Sequence, residues 1–155
     1  MNRPFPIIAL LILLIPLIPP FWLQAAKPAD LRLSYDSPEK TITVTNGRLH
    51  VAIRVYGYDN PASATPSSIK IETNSRELTP GESAALIAAV RKNKFFSLEE
   101  SYGAPSNERF YAYSITIIMK GKKKTVVYRG NPSFPSAPEP FNRLEALLLS
   151  LAAKK

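Results

Sequence analysis

The chain has 155 residues, no cysteine, a single histidine, and 20 Lys and Arg against 12 Asp and Glu, for a formal charge of +8. This composition excludes disulfide stapling, lipid attachment through a cysteine, thiol chemistry and zinc sites assembled from several Cys and His ligands. Stability must come from burial alone, and a part of about 130 residues suffices, burying roughly two thirds of its unfolded surface.

In chain order, the first segment is the most directive. Arg3 precedes the apolar run Ile7 to Leu23, the order of an export signal: a positive start, an apolar stretch, then small residues at the cut. Leu23-Gln24-Ala25, followed by Ala26, forms a usable cleavage site, although Leu23 is bulkier than the residue preferred there. Left uncut, Phe5 to Ala26 is long enough to span a bilayer, which takes about 20 residues. Pro16, Pro19 and Pro20 favour a signal that ends there, whereas Trp22 suits the interfacial position of a retained anchor. Residues 1–26 are therefore read as a signal peptide or a membrane anchor. Both fates place the remainder outside, as a periplasmic or extracellular domain, released or held to the membrane.

Residues 31–153 read as one extracytoplasmic domain. Leu31, Leu33 and Tyr35 alternate with polar residues as a short, peripheral strand. Lys40 to Thr45 and Arg48 to Tyr56 flank Asn46-Gly47, the strongest type I′ hairpin pair, and the register sets Val44 opposite Leu49, Thr43 opposite His50 and Ile42 opposite Val51. Gly57 to Ser68 is a Pro- and Ser-rich loop, after which Ile69 to Thr73 reads as a short edge strand. Thr79-Pro80-Gly81-Glu82 starts a helix with a capping box, running to about Lys92 with Leu86, Ala89 and Val90 inward. Phe95, Phe96 and Leu98 follow as packing anchors. Ser101 to Glu108 reads as a polar turn, and Phe110 to Lys120 as the longest strand, turning at Gly121-Lys122 in a type II′ hairpin that sets Ile118 opposite Thr125 and Ile117 opposite Val126. Prolines 132, 135, 138 and 140 stiffen the approach to a last helix carrying Phe141, Leu144, Leu147, Leu148 and Leu151. The expected fold is α+β: an antiparallel sheet of four to five strands in two hairpins, with two helices on one face, after an N-terminal hydrophobic segment. The halves echo each other, in Thr41-Ile42-Thr43-Val44 and Ser114-Ile115-Thr116-Ile117.

The residue types needed for chemistry are sparse. A Ser or Cys nucleophile needs a base, and the one histidine, His50, falls on a polar hairpin face. Glu99-Glu100 is the one adjacent acidic pair, and chain neighbours seldom converge on one substrate. Asp36 and Glu39, with Asp59 and Asn60, offer oxygens to calcium across loops but in no EF-hand spacing. No Gly-rich phosphate loop opens a helix. Catalytic, cofactor and metal sites are accordingly expected to be absent. Lys120, Lys122, Lys123 and Lys124 crowd one hairpin tip and make a candidate anionic contact, which Arg109 and Arg129 extend if their strand ends adjoin it. Solubility and protection of strand edges are themselves sufficient reason for such lysines. A basic exported domain favours phospholipid headgroups, polysaccharides or acidic protein patches, and nucleic acid is not an expected partner.

From Leu78 through Leu151 the sequence resembles a family of uncharacterised bacterial exported domains, in Phe95-Phe96-Ser97-Leu98, Ser101-Tyr102-Gly103 and Gly121-Lys122-Lys123-Lys124-Thr125-Val126. That family's paired Cys and Gly motif is missing here, and it transfers no activity. The same order of elements resembles the emfourin group, inhibitors of thermolysin-like metalloproteases, in Leu78 to Val90, Phe96, Tyr113 to Ile117 and the closing Leu-rich helix, without that group's Gly-Gly-Phe opening. These are mainly core positions, so the resemblance implies a fold and no functional residue. The expectation is a non-enzymatic binding domain acting on another envelope protein or an anionic surface. The alternatives are a metalloprotease inhibitor, adhesion through the lysine tip, and a carboxylate-dependent hydrolase.

Overall fold

The structure, a computed structural model, describes residues 30–107 and 110–154. The leader segment and Arg109 lie outside the described residues. Ten elements follow in order: β1 (Leu31–Asp36), β2 (Lys40–Thr45), β3 (Arg48–Gly57), β4 (Ser68–Glu77), α1 (Pro80–Lys92), a 3-10 turn (Phe95–Ser97), β5 (Ser101–Gly103), β6 (Ala112–Met119), β7 (Lys122–Arg129) and α2 (Glu139–Ala153).

The strands form one seven-stranded sheet in the order β4-β3-β2-β1-β6-β7-β5. The class is α+β, but the sheet is larger than the sequence led us to expect and is mixed, because β5 runs parallel to β7. Two differences have clear causes. Strand β1 is central rather than peripheral: five of its residues pair with β2 and all six with β6, and both of its edges are used, which no local pattern announces. Strand β5 replaces the expected polar turn. It is only three residues long, and its Gly103 holds a positive φ of 80° where an added Cβ would press on the Arg129 carbonyl. Strand β4 extends to ten residues, and with β3 it exceeds β6, the expected longest strand.

The Asn46-Gly47 hairpin forms as expected, with φ of 53° and 78° and Ile42 opposite Val51. The second hairpin turns one residue earlier than expected. Its loop is Lys120-Gly121, at φ 51° and 75°, again type I′ and not type II′. That hand of turn matches the twist of the strands, and here Lys accepts the left-handed conformation. Ile118 therefore opposes Lys123 and Ile117 opposes Lys124. The partner has moved by two positions, so each side chain keeps its expected face. The register is closed by a Thr116–Thr125 hydroxyl contact of 3.0 Å and by the rings of Tyr113 and Tyr128, 6.4 Å apart.

The core lies on one face. Leu33, Tyr35, Ile42, Val44, Leu49, Ile115, Ile117 and Val126 are buried there beneath Leu86 and Val90 of α1 and Phe141, Leu144, Leu148 and Leu151 of α2. The capping box of α1 is complete, Glu82 N donating to Thr79 Oγ1 at 3.2 Å and Thr79 N to Glu82 Oε2 at 3.0 Å. The opposite face is polar. His50 sits there opposite Thr43, its Nδ1 2.7 Å from Ser75 Oγ, as the sequence indicates. Among the described residues, no helix is long and apolar enough to cross a membrane.

Candidate tyrosine-lined cleft

Where β1 ends, the chain turns sharply through Ser37-Pro38-Glu39 into β2. Ser37 N donates to the Lys40 carbonyl at 2.9 Å, and Lys40 N donates back to Ser37 Oγ at 3.2 Å. Strand β3 then clamps this turn from outside. Arg54 donates from Nη1 to the Ser37 carbonyl at 2.6 Å and from Nη2 to Asp36 Oδ1 at 3.3 Å, and Tyr56 donates its hydroxyl to the Pro38 carbonyl at 2.9 Å. A fixed turn, the overhanging end of β3 and the flank of α2 leave between them an open cleft of about 940 Å³. The size falls within the range of small-molecule and short-peptide sites, about 300–1,000 Å³.

Five of the seven tyrosines line it: Tyr35, Tyr56, Tyr58, Tyr111 and Tyr113. They arrive from β1, β3, the loop after β3, and β6 with its approach. Tyr58 and Tyr111 are exposed, the latter by 78%, so their rings are presented to solvent. At the floor, Tyr35 donates its hydroxyl to Glu145 Oε1 of α2 at 2.7 Å. Burial, and then the hydrogen bond and charge of Glu145, push the Tyr35 phenol well above the ordinary tyrosine range. The phenol therefore stays protonated and its donation is fixed. The cleft also carries Glu39, Lys40 and Arg54; charges of both signs are present, and Arg54 is spent on the turn.

Little of this is legible in the sequence: strand patterning places Tyr35 and Tyr113 on strands without bringing them together, and helical spacing gives Glu145 no role. Two local signals point to the cleft: the pairs Tyr56-x-Tyr58 and Tyr111-x-Tyr113, each at the period-two spacing of a strand face although Tyr58 and Tyr111 lie just outside β3 and β6, and a carboxylate four residues after Phe141, on the otherwise apolar inward side of α2.

The four lysines singled out from sequence do not form one surface. Lys120 occupies the turn itself, while alternation sends Lys122 and Lys124 to the helix-bearing face, opposite Met119 and Ile117, and Lys123 to the polar face. Lys124 lies 3.9 Å from Glu100 with its side chain largely covered. Arg129 is at the other end of β7, donating to Ser101 Oγ at 3.2 Å, seven residues and about 23 Å of strand from Lys122. Arg109 lies outside the described residues. Glu99 and Glu100 are both exposed. Asp36 is engaged by Arg54 and by Thr41 Oγ1 at 2.6 Å, and Asn60 Oδ1 accepts from Ala62 N. Among the described residues, no group of three His, Asp or Glu side chains is placed to hold a metal ion. Fold and site together describe an α+β domain with an open aromatic cleft at one end of its sheet. No protein-family model matches the chain, and no curated protein matches it.

Proposed function

We propose that the protein is a non-enzymatic binding domain, exported or tethered outside the membrane by residues 1–26, and that the tyrosine cleft receives an extended peptide segment of another envelope protein. One observation carries the reading: five tyrosine side chains from separate elements converge on a single open cleft. Tyrosine offers a large, rigid contact area with a hydroxyl at its rim at low entropic cost. Grooves lined by such rings suit extended proline-containing peptides, whose shape is preformed and whose backbone carbonyls can accept from the hydroxyls of the exposed Tyr58 and Tyr111. The mixed charge of the walls favours a ligand that is neither strongly acidic nor strongly basic. The leader supports the location, since a positive start followed by an apolar run directs the following chain outward.

The test is a titration of the isotopically labelled protein with a peptide bearing a PxxP core, followed by NMR. Shifts are expected at the five tyrosines, and Tyr58→Ala and Tyr111→Ala each weaken binding by about tenfold, or ~1.4 kcal/mol. Absence of binding, or shifts confined to the Lys120–Lys124 hairpin, would remove the cleft from this role. Slowed hydrolysis by a thermolysin-like protease on addition of the protein would replace the reading with the inhibitor that the second resemblance implies. The cleft also carries two carboxylates, Glu39 and Glu145; turnover of an envelope glycan, lost in Glu145→Gln, would establish the hydrolase instead.

A further inference from the structure

Among the described residues, strand β4 leaves a long rim of backbone without a neighbour, and the sequence along that rim complements itself. It is the outermost strand, ten residues long, with Ile69 60% and Ile71 63% exposed. Leu78 N donates to the Gly47 carbonyl at 2.8 Å, and the register from Arg48–Glu77 to Gly57–Ser68 runs without a bulge. Antiparallel alternation then turns the backbone groups of Lys70, Glu72 and Asn74 toward β3 and those of Ile69, Ile71 and Thr73 outward. An outward-facing ladder of this length is a template for another strand.

We propose that β4 pairs antiparallel with β4 of a second copy of this chain, about a two-fold axis at Ile71, so that two seven-stranded sheets become one. In this register Ile71 exchanges both backbone hydrogen bonds with its own counterpart, and Ile69 does so with Thr73. Lys70 then stands opposite Glu72 of the second copy, at the position where antiparallel side chains approach closest. Neighbouring registers are penalised. An axis at Lys70 or at Glu72 sets like charges face to face, and an axis at Thr73 sets Lys70 against Arg76. A lone lysine on an edge deters pairing; a lysine and a glutamate flanking the axis at equal distance select one register. Within one copy Lys70 Nζ and Glu72 Oε1 already lie 2.9 Å apart, but both side chains are well exposed, and such a pair is weak enough to be exchanged. The pairing also covers Ile69 and Ile71, which otherwise stand in water beside Tyr56 and Arg54.

The cysteine-free chain makes the test direct. Under mild oxidation the full-length Ile71→Cys variant is expected to form a disulfide-linked homodimer. Neither Ile69→Cys nor Thr73→Cys alone is expected to do so, whereas the two variants co-expressed link to each other. Adding Glu72→Lys to Ile71→Cys removes most of the crosslink, and adding Lys70→Glu as well restores it. Both charges are exposed on an edge strand, so these variants keep the fold. Crosslinking that is equal at all three positions, absent at all three, indifferent to the charge reversal, or directed to a different protein would overturn the proposal.

Discussion

Glu82 is the residue on which three parts of the chain converge. Its carboxylate accepts from both terminal nitrogens of Arg76 at the end of β4, at 2.8 and 3.1 Å, from Thr79 N at the start of α1, and from Lys154 Nζ beyond α2. Arg76 in turn donates to the Leu151 carbonyl at 3.0 Å, so one ionic cluster ties the edge strand to both helices. The Arg76 fork, then the Thr79 amide and Lys154, hold the Glu82 carboxyl far below the usual carboxylate range. A folded value below the unfolded value of about 4.3 means that the unfolded chain binds the proton first. The stabilisation is thus complete at neutral pH and is lost progressively as pH falls below about 5. Urea unfolding is expected to show Glu82→Gln less stable than the parent near neutrality, with the difference closing in acid. A constant difference across pH would contradict the assignment. The capping half of this cluster was legible in Thr79-x-x-Glu82, because it is local; the Arg76 and Lys154 halves lie 6 and 72 residues away, and no spacing rule reaches them.

At the scale of elements, the two type I′ hairpins carry the regularity of the fold. They flank β1 on either side, β2 and β3 to one edge, β6 and β7 to the other, which gives the sequence echo between the halves a structural counterpart. The turns differ in one residue that matters. Asn46 tolerates positive φ, but Lys120 at φ 51° does not do so cheaply. Lys120→Asn is expected to raise stability by about 0.5 to 1 kcal/mol, read as a higher urea midpoint with an unchanged slope. An unchanged or lower midpoint would argue that the side chain, not the backbone, governs this turn. Sequence placed the first hairpin correctly because Asn-Gly names its turn type. For the second, Gly121 is compatible with the last position of one turn or the first position of another, and alternation cannot separate registers that differ by two.

Across the whole molecule, Phe141 is where helix, sheet and cleft are joined. Its ring is fully buried and 6.2 Å from that of Tyr128, which in turn meets Tyr113 of the cleft wall. Four residues on, Glu145 receives Tyr35, so the seat of α2 sets the depth of the cleft. Phe141→Ala is expected to cost about 3–5 kcal/mol, a large share of the 5–15 kcal/mol that ordinarily separates folded from unfolded chains. Denaturant unfolding measures it directly, and a cost below about 1 kcal/mol would mean that α2 is not seated through this ring. The inward residues of α2 and the alternating strands were readable because burial imposes a period on the chain, 3.6 for helices and 2 for strands. By itself the sequence determined the α+β class, the inward residues of α1 and α2, the capped start of α1 and the first hairpin, all of which rest on local periodicity and turn chemistry. Only the tertiary structure decided that β1 is central, that β5 completes a seventh strand, that the lysines part company across the sheet, and that five tyrosines meet in one cleft. Each of those depends on which distant segments share an edge, and a one-dimensional pattern carries no information about its neighbours in space.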